Sequence, residues 1–184
     1  MSTLKKRYFE LVKVGMLEKH GYRNPMMVPK ILKVVINRGF GEAISNSKVI
    51  EQSMDDLLAI TGQKPVLTKS KKSISNFKLR ENQVIGCKVT LRSDRMFDFL
   101  TKLIHIYLPK IRDFRGIPIN SFDGRGNYTM GIKDDSIFHE VSFEKFDKAR
   151  GYDITLVTSA SSDHEAEDLL RFFGFPFRKQ DRKD

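Results

Sequence analysis

The sequence predicts an α+β fold: an antiparallel or mixed sheet with helices packed on one face, plus a projecting basic loop and a long extended arm. Three observations lead there. Segments with apolar residues at helical spacing alternate with four or so short β-branched runs. The connection 69–83 is too polar to be buried and too long for a tight hairpin turn, yet it joins two strands directly, as antiparallel neighbours are joined. The strands alternate apolar with polar residues, as a sheet covered on one face requires.

From the N-terminus, Leu4, Tyr8, Leu11 and Val12 recur at helical spacing and Gly21 stops the helix they mark. Pro25 and Pro29 bracket a turn, and Ile31 to Arg38 reads as the first strand, closed by Gly39 and Gly41. Ile50, Met54, Leu57 and Leu58 line a second helix that ends at Gly62, followed by a short strand from Pro65 to Thr68. After the 69–83 loop, expected to project and to be mobile, Ile85 to Arg92 forms the third strand. Phe97, Leu100, Leu103, Ile104 and Tyr107 define a third amphipathic helix, with Pro109 as its end.

The helical period then vanishes from 111 to 140, where Gly116, Gly124, Gly126 and Gly131 punctuate an extended arm with strand-like pieces. Asp153 to Thr158 alternates as a last strand. Ser162 and Glu165 form a capping box for a final helix lined by Ala166, Leu169, Leu170 and Phe173 and stopped by Gly174. Residues 1–177 read as one domain, with 178–184 a charged, disordered tail.

Lys and Arg number 33 against 23 Asp and Glu, a net charge of +10, which points to a polyanionic partner. Apolar runs are too short to span a bilayer, and the first seven residues lack the apolar core of a secretion signal. The lone Cys87 cannot form an internal disulfide, so the expectation is a cytoplasmic protein.

Two features suit nucleic acid. The stretch Lys64 to Arg80 holds six basic residues (Lys64, Lys69, Lys71, Lys72, Lys78 and Arg80) and no acidic one, with several hydroxyls and the aromatic Phe77. Cations meet phosphates, hydroxyls donate to phosphate or sugar oxygens, and a ring can stack on a base. In the strands, Ile85, Cys87, Val89 and Leu91 can face a core while Lys88, Thr90 and Arg92 face outward. Likewise Leu32, Val34 and Ile36 point one way and Lys33, Val35 and Asn37 the other. The outward faces offer donors and acceptors, as in sheet-based RNA binders.

Signals for catalysis are weak. His20, His105, His139 and His164 lie on separate segments without metal-ligand spacing, and no cofactor motif is present: Gly39-Phe40-Gly41 lacks a third glycine at Ile44, and no P-loop follows. Asp134, Asp135 and Glu140 could hold a cation for nuclease chemistry, against which stands the reading of an exposed acidic patch on the arm. Arg150-Gly151-Tyr152 only echoes an RNP1 signature. Besides a nuclease, the rival is a DNA regulator, for which no helix-turn-helix or zinc motif is found.

Ordered motifs recur along the chain: Val28-Pro29-Lys30-Ile31, Val35-Ile36-Asn37 with Gly39 and Gly41-Glu42-Ala43, Ile60-Thr61-Gly62-Gln63-Lys64-Pro65, Lys71-Lys72-Ser73-Ile74 and Phe77-Lys78-Leu79-Arg80. Then come Ile85-Gly86-Cys87-Lys88-Val89-Thr90-Leu91-Arg92, Arg112-Asp113-Phe114-Arg115-Gly116, Ser121-Phe122-Asp123-Gly124, Gly126-Asn127-Tyr128 and Phe175-Pro176-Phe177. Through them the chain, from about Tyr8 to Phe177, resembles the bacterial-type L5 family of large-subunit ribosomal proteins.

The resemblance implies a non-enzymatic protein of the central protuberance that binds 5S rRNA beside large-subunit rRNA. It also implies contacts with P-site tRNA and, across an intersubunit bridge, with a small-subunit head protein; no homo-oligomer is expected. By motif, Asn37, Gln63 and Thr90 match the family's 5S-binding residues, with Lys33, Lys88 and Arg92 on the same outward faces. Lys69, Lys71, Lys72, Lys78 and Arg80 match the loop near tRNA, and 111–140 the region near the bridge. Ser93-Asp94 and His139 depart from the family's common Gly and Pro, which touches a turn and the arm and leaves the sheet face intact.

Overall fold

In a computed structural model of the protein, the described residues are 3–41, 47–133, 135–141 and 151–178. Glu42 and Ala43 of the motif after the first strand, Asp134, Arg150 and all of the tail beyond Arg178 lie outside them. Five strands among the described residues form one sheet: β1 (Ile31–Gly39), β2 (Val66–Lys69), β3 (Val84–Leu91), β4 (Tyr128–Ile132) and β5 (Tyr152–Thr158), in the order β2-β3-β1-β5-β4. The fold is α+β, with helices on one face of an antiparallel or mixed sheet. The chain divides into two compact units, Met1–Val34 with Arg92–Met130 and Thr155–Asp184, and Val35–Leu91 with Gly131–Ile154.

The first unit is mostly helical. Residues 3–20 run as α1 (Thr3–Arg7), a π-helical turn (Tyr8–Val12) and α2 (Lys13–His20), ending at Gly21 in the left-handed region. The π turn fits an extra residue into one turn. Apolar spacing read at 3.6 residues per turn therefore drifts: Leu4, Val12 and Met16 are buried, but Leu11, expected on the same face, is 61% exposed and Phe9 is 55% exposed. A Cβ on Gly15 would sit 2.6 Å from the Phe172 ring, so only glycine lets α2 approach α6 (Asp163–Phe173) this closely. Ser162 caps α6 by accepting from the Glu165 amide, as its capping box predicts.

In the same unit, α4 (Ser93–Lys102) passes through a second π turn, Leu103–Tyr107, into α5 (Leu108–Lys110). Pro109 does not end the helix: it lies in that short last segment, and the chain turns extended at Ile111. A proline has no N–H to place in the ladder, so it is tolerated in a terminal segment that opens after a π turn.

The predicted arm is only partly an arm. Ile117 bridges in parallel to Phe177, the rings of Phe122, Tyr128 and Phe177 cluster, and Tyr128–Ile132 becomes β4, an edge of the sheet. The turn before β4 is held by Asp163, whose carboxylate accepts from the Gly124 and Gly126 amides at 3.0 and 2.8 Å.

The second unit holds α3 (Ser47–Thr61), which packs on β3. Leu57 and Ile60 are buried, as are Cys87 and Val89. Strand β2 runs antiparallel to β3, pairing Val66 with Lys88 and Thr68 with Gly86, so the 69–83 segment joins antiparallel neighbours.

Candidate nucleic-acid interface

The alternation read from the sequence sets the geometry of the second unit. Ile36 and Arg38 on β1, and Cys87, Val89 and Leu91 on β3, are buried. Asn37 is half-buried on the opposite face of β1, as is Thr90 on β3, where Lys88 is exposed. Gln63, just past the end of α3, reaches the backbone of β3. Gly62, with φ +66°, turns the chain there, the Thr61 hydroxyl spans Leu57 and Gln63 carbonyls, and Gln63 Nε2 donates to the Thr90 carbonyl at 3.2 Å. The structure thus brings Gln63 and Thr90 together, with Asn37 and Lys88 on the outward faces of their strands.

The basic loop is more ordered than its composition suggests. A 3-10 turn, Ser75–Phe77, leads to Lys78 at φ 52°, and Ile74 and Leu79 exchange backbone hydrogen bonds at 3.0 and 3.1 Å. At the base, Ser70 donates its amide to Gln83 and its hydroxyl to Arg80, while the Ser73 hydroxyl accepts from the Glu81 amide. These local bonds fold the loop back as a small hairpin. Lys69, Lys71, Lys72, Lys78 and Arg80 are all exposed along it, and Phe77, 70% exposed, stands near its tip.

Lys33 and Arg92 belong to the first unit. Lys33 is half-buried on β1, and Arg92 is exposed in extended backbone at the start of α4.

Two residues that the sequence reading left out of the core matter most to the electrostatics. Arg38 is fully buried, on the inward face of β1 with Ile36. Its Nη1 donates to Asp56 Oδ2 at 2.9 Å and to the Tyr152 hydroxyl at 2.6 Å, its Nη2 donates to Asp135 Oδ2 at 3.1 Å, and the guanidinium stacks 4.6 Å from the Tyr152 ring centre. Asp135 is therefore not part of an exposed acidic patch. It is 5% exposed and serves as counter-ion to a buried cation, because a charge removed from water needs a partner. Glu140 is half-buried and Asp134 lies outside the described residues. Burial, partly offset by Arg38, raises the Asp56 carboxyl above its usual value, and burial lifts the Cys87 thiol to about 11 and the Tyr152 phenol above its usual range. Tyr152 offers no stacking platform, since its ring is inside.

Histidines scattered in sequence meet in the first unit. His20 Nε2 lies 3.0 Å and His164 Nδ1 3.5 Å from Asp168 Oδ2, while Lys19 pairs with Oδ1. Among the described residues no group of three or more His, Cys, Asp or Glu is arranged to hold a metal. No described helix is long and apolar enough to cross a membrane.

Comparison with known proteins covers nearly the whole chain. Residues 24–80 match the family described as Ribosomal protein L5, and residues 84–177 match the C-terminal family of the same ribosomal protein. Among curated relatives, the large ribosomal subunit protein uL5 of Clostridium perfringens is 57% identical over 177 residues, covering 96% of this chain and 99% of its own. The proteins of the same name from Moorella thermoacetica and Desulforamulus reducens are 55% and 54% identical over 179 residues, covering 97% of this chain and 99% of theirs.

Proposed function

The chain belongs to the ribosomal protein L5 family, a family of structural ribosomal proteins rather than enzymes, and from that premise we propose that it binds 5S rRNA and helps attach it to large-subunit rRNA in the central protuberance. The supporting observation is the outward sheet face. Asn37, Lys88 and Thr90 present polar groups opposite the α3 side, and Gln63 is fixed beside Thr90 by its hydrogen bond to the strand. Charge draws the protein to RNA, and hydrogen bonds from rigid strands set the register that phosphate attraction alone cannot supply. Lys33 and Arg92 add cations to the same function.

In this reading the hairpin carrying Lys69, Lys71, Lys72, Lys78 and Arg80 meets P-site tRNA, and part of 111–140 meets a small-subunit head protein across an intersubunit bridge. Residues 1–177 act as a single RNA-binding domain in the cytoplasm, as a monomer and without a cofactor. Capture of native RNA from a cell lysate tests the central claim: the bound species should run as one band of 5S size at moderate salt. Retention of only heterogeneous RNA, with none of that band, would refute it.

A further inference from the structure

The first unit contains an apolar groove of about 310 Å³ that the sheet-face reading does not use. Tyr8, Phe9, Leu32 and Phe97 line it, with Lys5 and Lys30 at its rim, and no lining residue is acidic. We propose that it receives one unpaired nucleobase of the bound RNA, a second contact that rests on the RNA-binding function above.

Three features carry this. The groove has an aromatic floor fixed from behind: Tyr8 stacks on buried Phe173 at 5.7 Å with an interplanar angle of 7°, donates its hydroxyl to the Pro29 carbonyl, and meets Phe9 edge-on at 5.3 Å. Phe97 meets the same Phe173, with ring centres 6.4 Å apart. Rings already held in place lose little freedom when a flat ligand stacks on them.

The platform lies on the π turn. Tyr8 and Phe9 both fall within it, Phe9 is 55% exposed, and Leu32 of the same groove is 44% exposed. Single-turn π elements inside helices recur at functional sites.

Charge selects the ligand. Lys30 is exposed beside the rings, while the charge of Lys5 is matched by Asp94, 2.6 Å away. A nucleotide supplies both complements, a flat base for the rings and a phosphate for Lys30, whereas an acidic peptide would leave the aromatic floor poorly used. The volume is at the low end for small-ligand sites, enough for one base and not for a duplex.

The test uses the full chain and native 5S rRNA. Phe9→Ala and Phe9→Leu, both at an exposed position, should keep the wild-type melting temperature and lower RNA affinity about fivefold or more, the low end of one lost base stack. Ultraviolet crosslinking of the wild-type complex should join a nucleotide outside the paired helices to the peptide carrying Tyr8 and Phe9. Wild-type affinity in both variants, or a crosslink confined to other segments, overturns the groove while leaving the sheet-face function standing. A groove that captures an acidic protein segment, with RNA affinity unchanged in the variants, overturns it equally. Failure of the wild type to select 5S rRNA would instead sink the function on which the groove depends.

Discussion

The side-chain amide of Gln63 donates to the backbone carbonyl of Thr90 across 3.2 Å, tying the turn after α3 to β3. The two residues lie 27 positions apart, and both were singled out for RNA by the same family's motifs, Thr90 also by its outward parity. Their contact makes Gln63 a residue with two duties: it braces the turn, and it offers the rest of its amide beside the sheet face. Among the described residues no hydrogen bond ties the Asn37 side chain to α3, which allows the two duties to be separated.

Asn37→Ala and Thr90→Ala should weaken 5S rRNA binding by roughly 1–3 kcal/mol, because each removes a hydrogen-bonding group and leaves its RNA partner desolvated. Gln63→Ala should lose binding too and also lower the melting temperature, since the Thr90 carbonyl loses its donor. Mobility shifts paired with thermal melts check this, and wild-type binding by all three variants would remove the sheet face from the proposed interface.

Neutralising Lys69, Lys71, Lys72, Lys78 and Arg80 together should leave recognition of isolated 5S rRNA nearly intact. The hairpin's backbone bonds, which do not use these side-chain cations, should survive the change. The loss is expected on assembled ribosomes, as weaker tRNA positioning, and any fall in RNA affinity should shrink as salt rises. If the neutralised loop instead abolished selective 5S binding at moderate salt, primary recognition would move from sheet to loop.

A pH dependence follows from Glu165. Burial works against its charged form, yet the Ser161 amide and hydroxyl, the Tyr22 phenol and His20 outweigh that and hold its carboxyl below the ordinary value. A depressed folded-state value means that the stabilisation is present above the unfolded value and lost as pH falls through the folded one. Glu165→Gln should therefore reduce the melting temperature at pH 7, and the deficit should shrink as pH is lowered toward about 3. A constant difference across that range would show that the charge of Glu165 contributes nothing.

The sequence pattern revealed those parts of the fold that depend on neighbours in the chain. The alternation around Cys87 and Lys88, the Ser162 cap of α6 and the left-handed turn at Gly62 all follow from local periodicity or one residue's backbone freedom. Long-range pairing was hidden. Tyr128–Ile132 does alternate buried and exposed residues, but the surrounding glycines read as an arm until an edge of the sheet is there to receive it. His20 and Asp168 are 148 residues apart, so no spacing rule could join them. Leu11 turns outward where a π turn shifts the helical phase, and no residue type announces one. Arg38 continues the Ile36 face and its parity was visible, yet a charge is assigned to solvent by default until its counter-ions are known.

Those counter-ions yield the last prediction. Arg38 has no exposed side-chain surface, and Asp56 and Asp135 keep only 12% and 7% of theirs. Removing the cation alone, as in Arg38→Met, leaves two buried carboxylates facing each other without neutralisation, and breaking a buried pair in this way costs about 3–5 kcal/mol. The cost should depend on pH with a definite sign. Asp56 is already raised by burial and by Asp135, with Arg38 the opposing influence. Without Arg38 its folded-state value rises further, so the native state binds protons that the unfolded chain releases, and the variant gains relative stability as pH falls through that value. Urea titrations should therefore show Arg38→Met strongly destabilised at pH 7 and less so at pH 5. Arg38→Met with Asp56→Asn and Asp135→Asn should recover much of the loss at pH 7 by removing the stranded charges. A deficit that is the same at both pH values and is not relieved by the triple substitution would mean that Arg38 acts through packing against Tyr152 rather than through its charge.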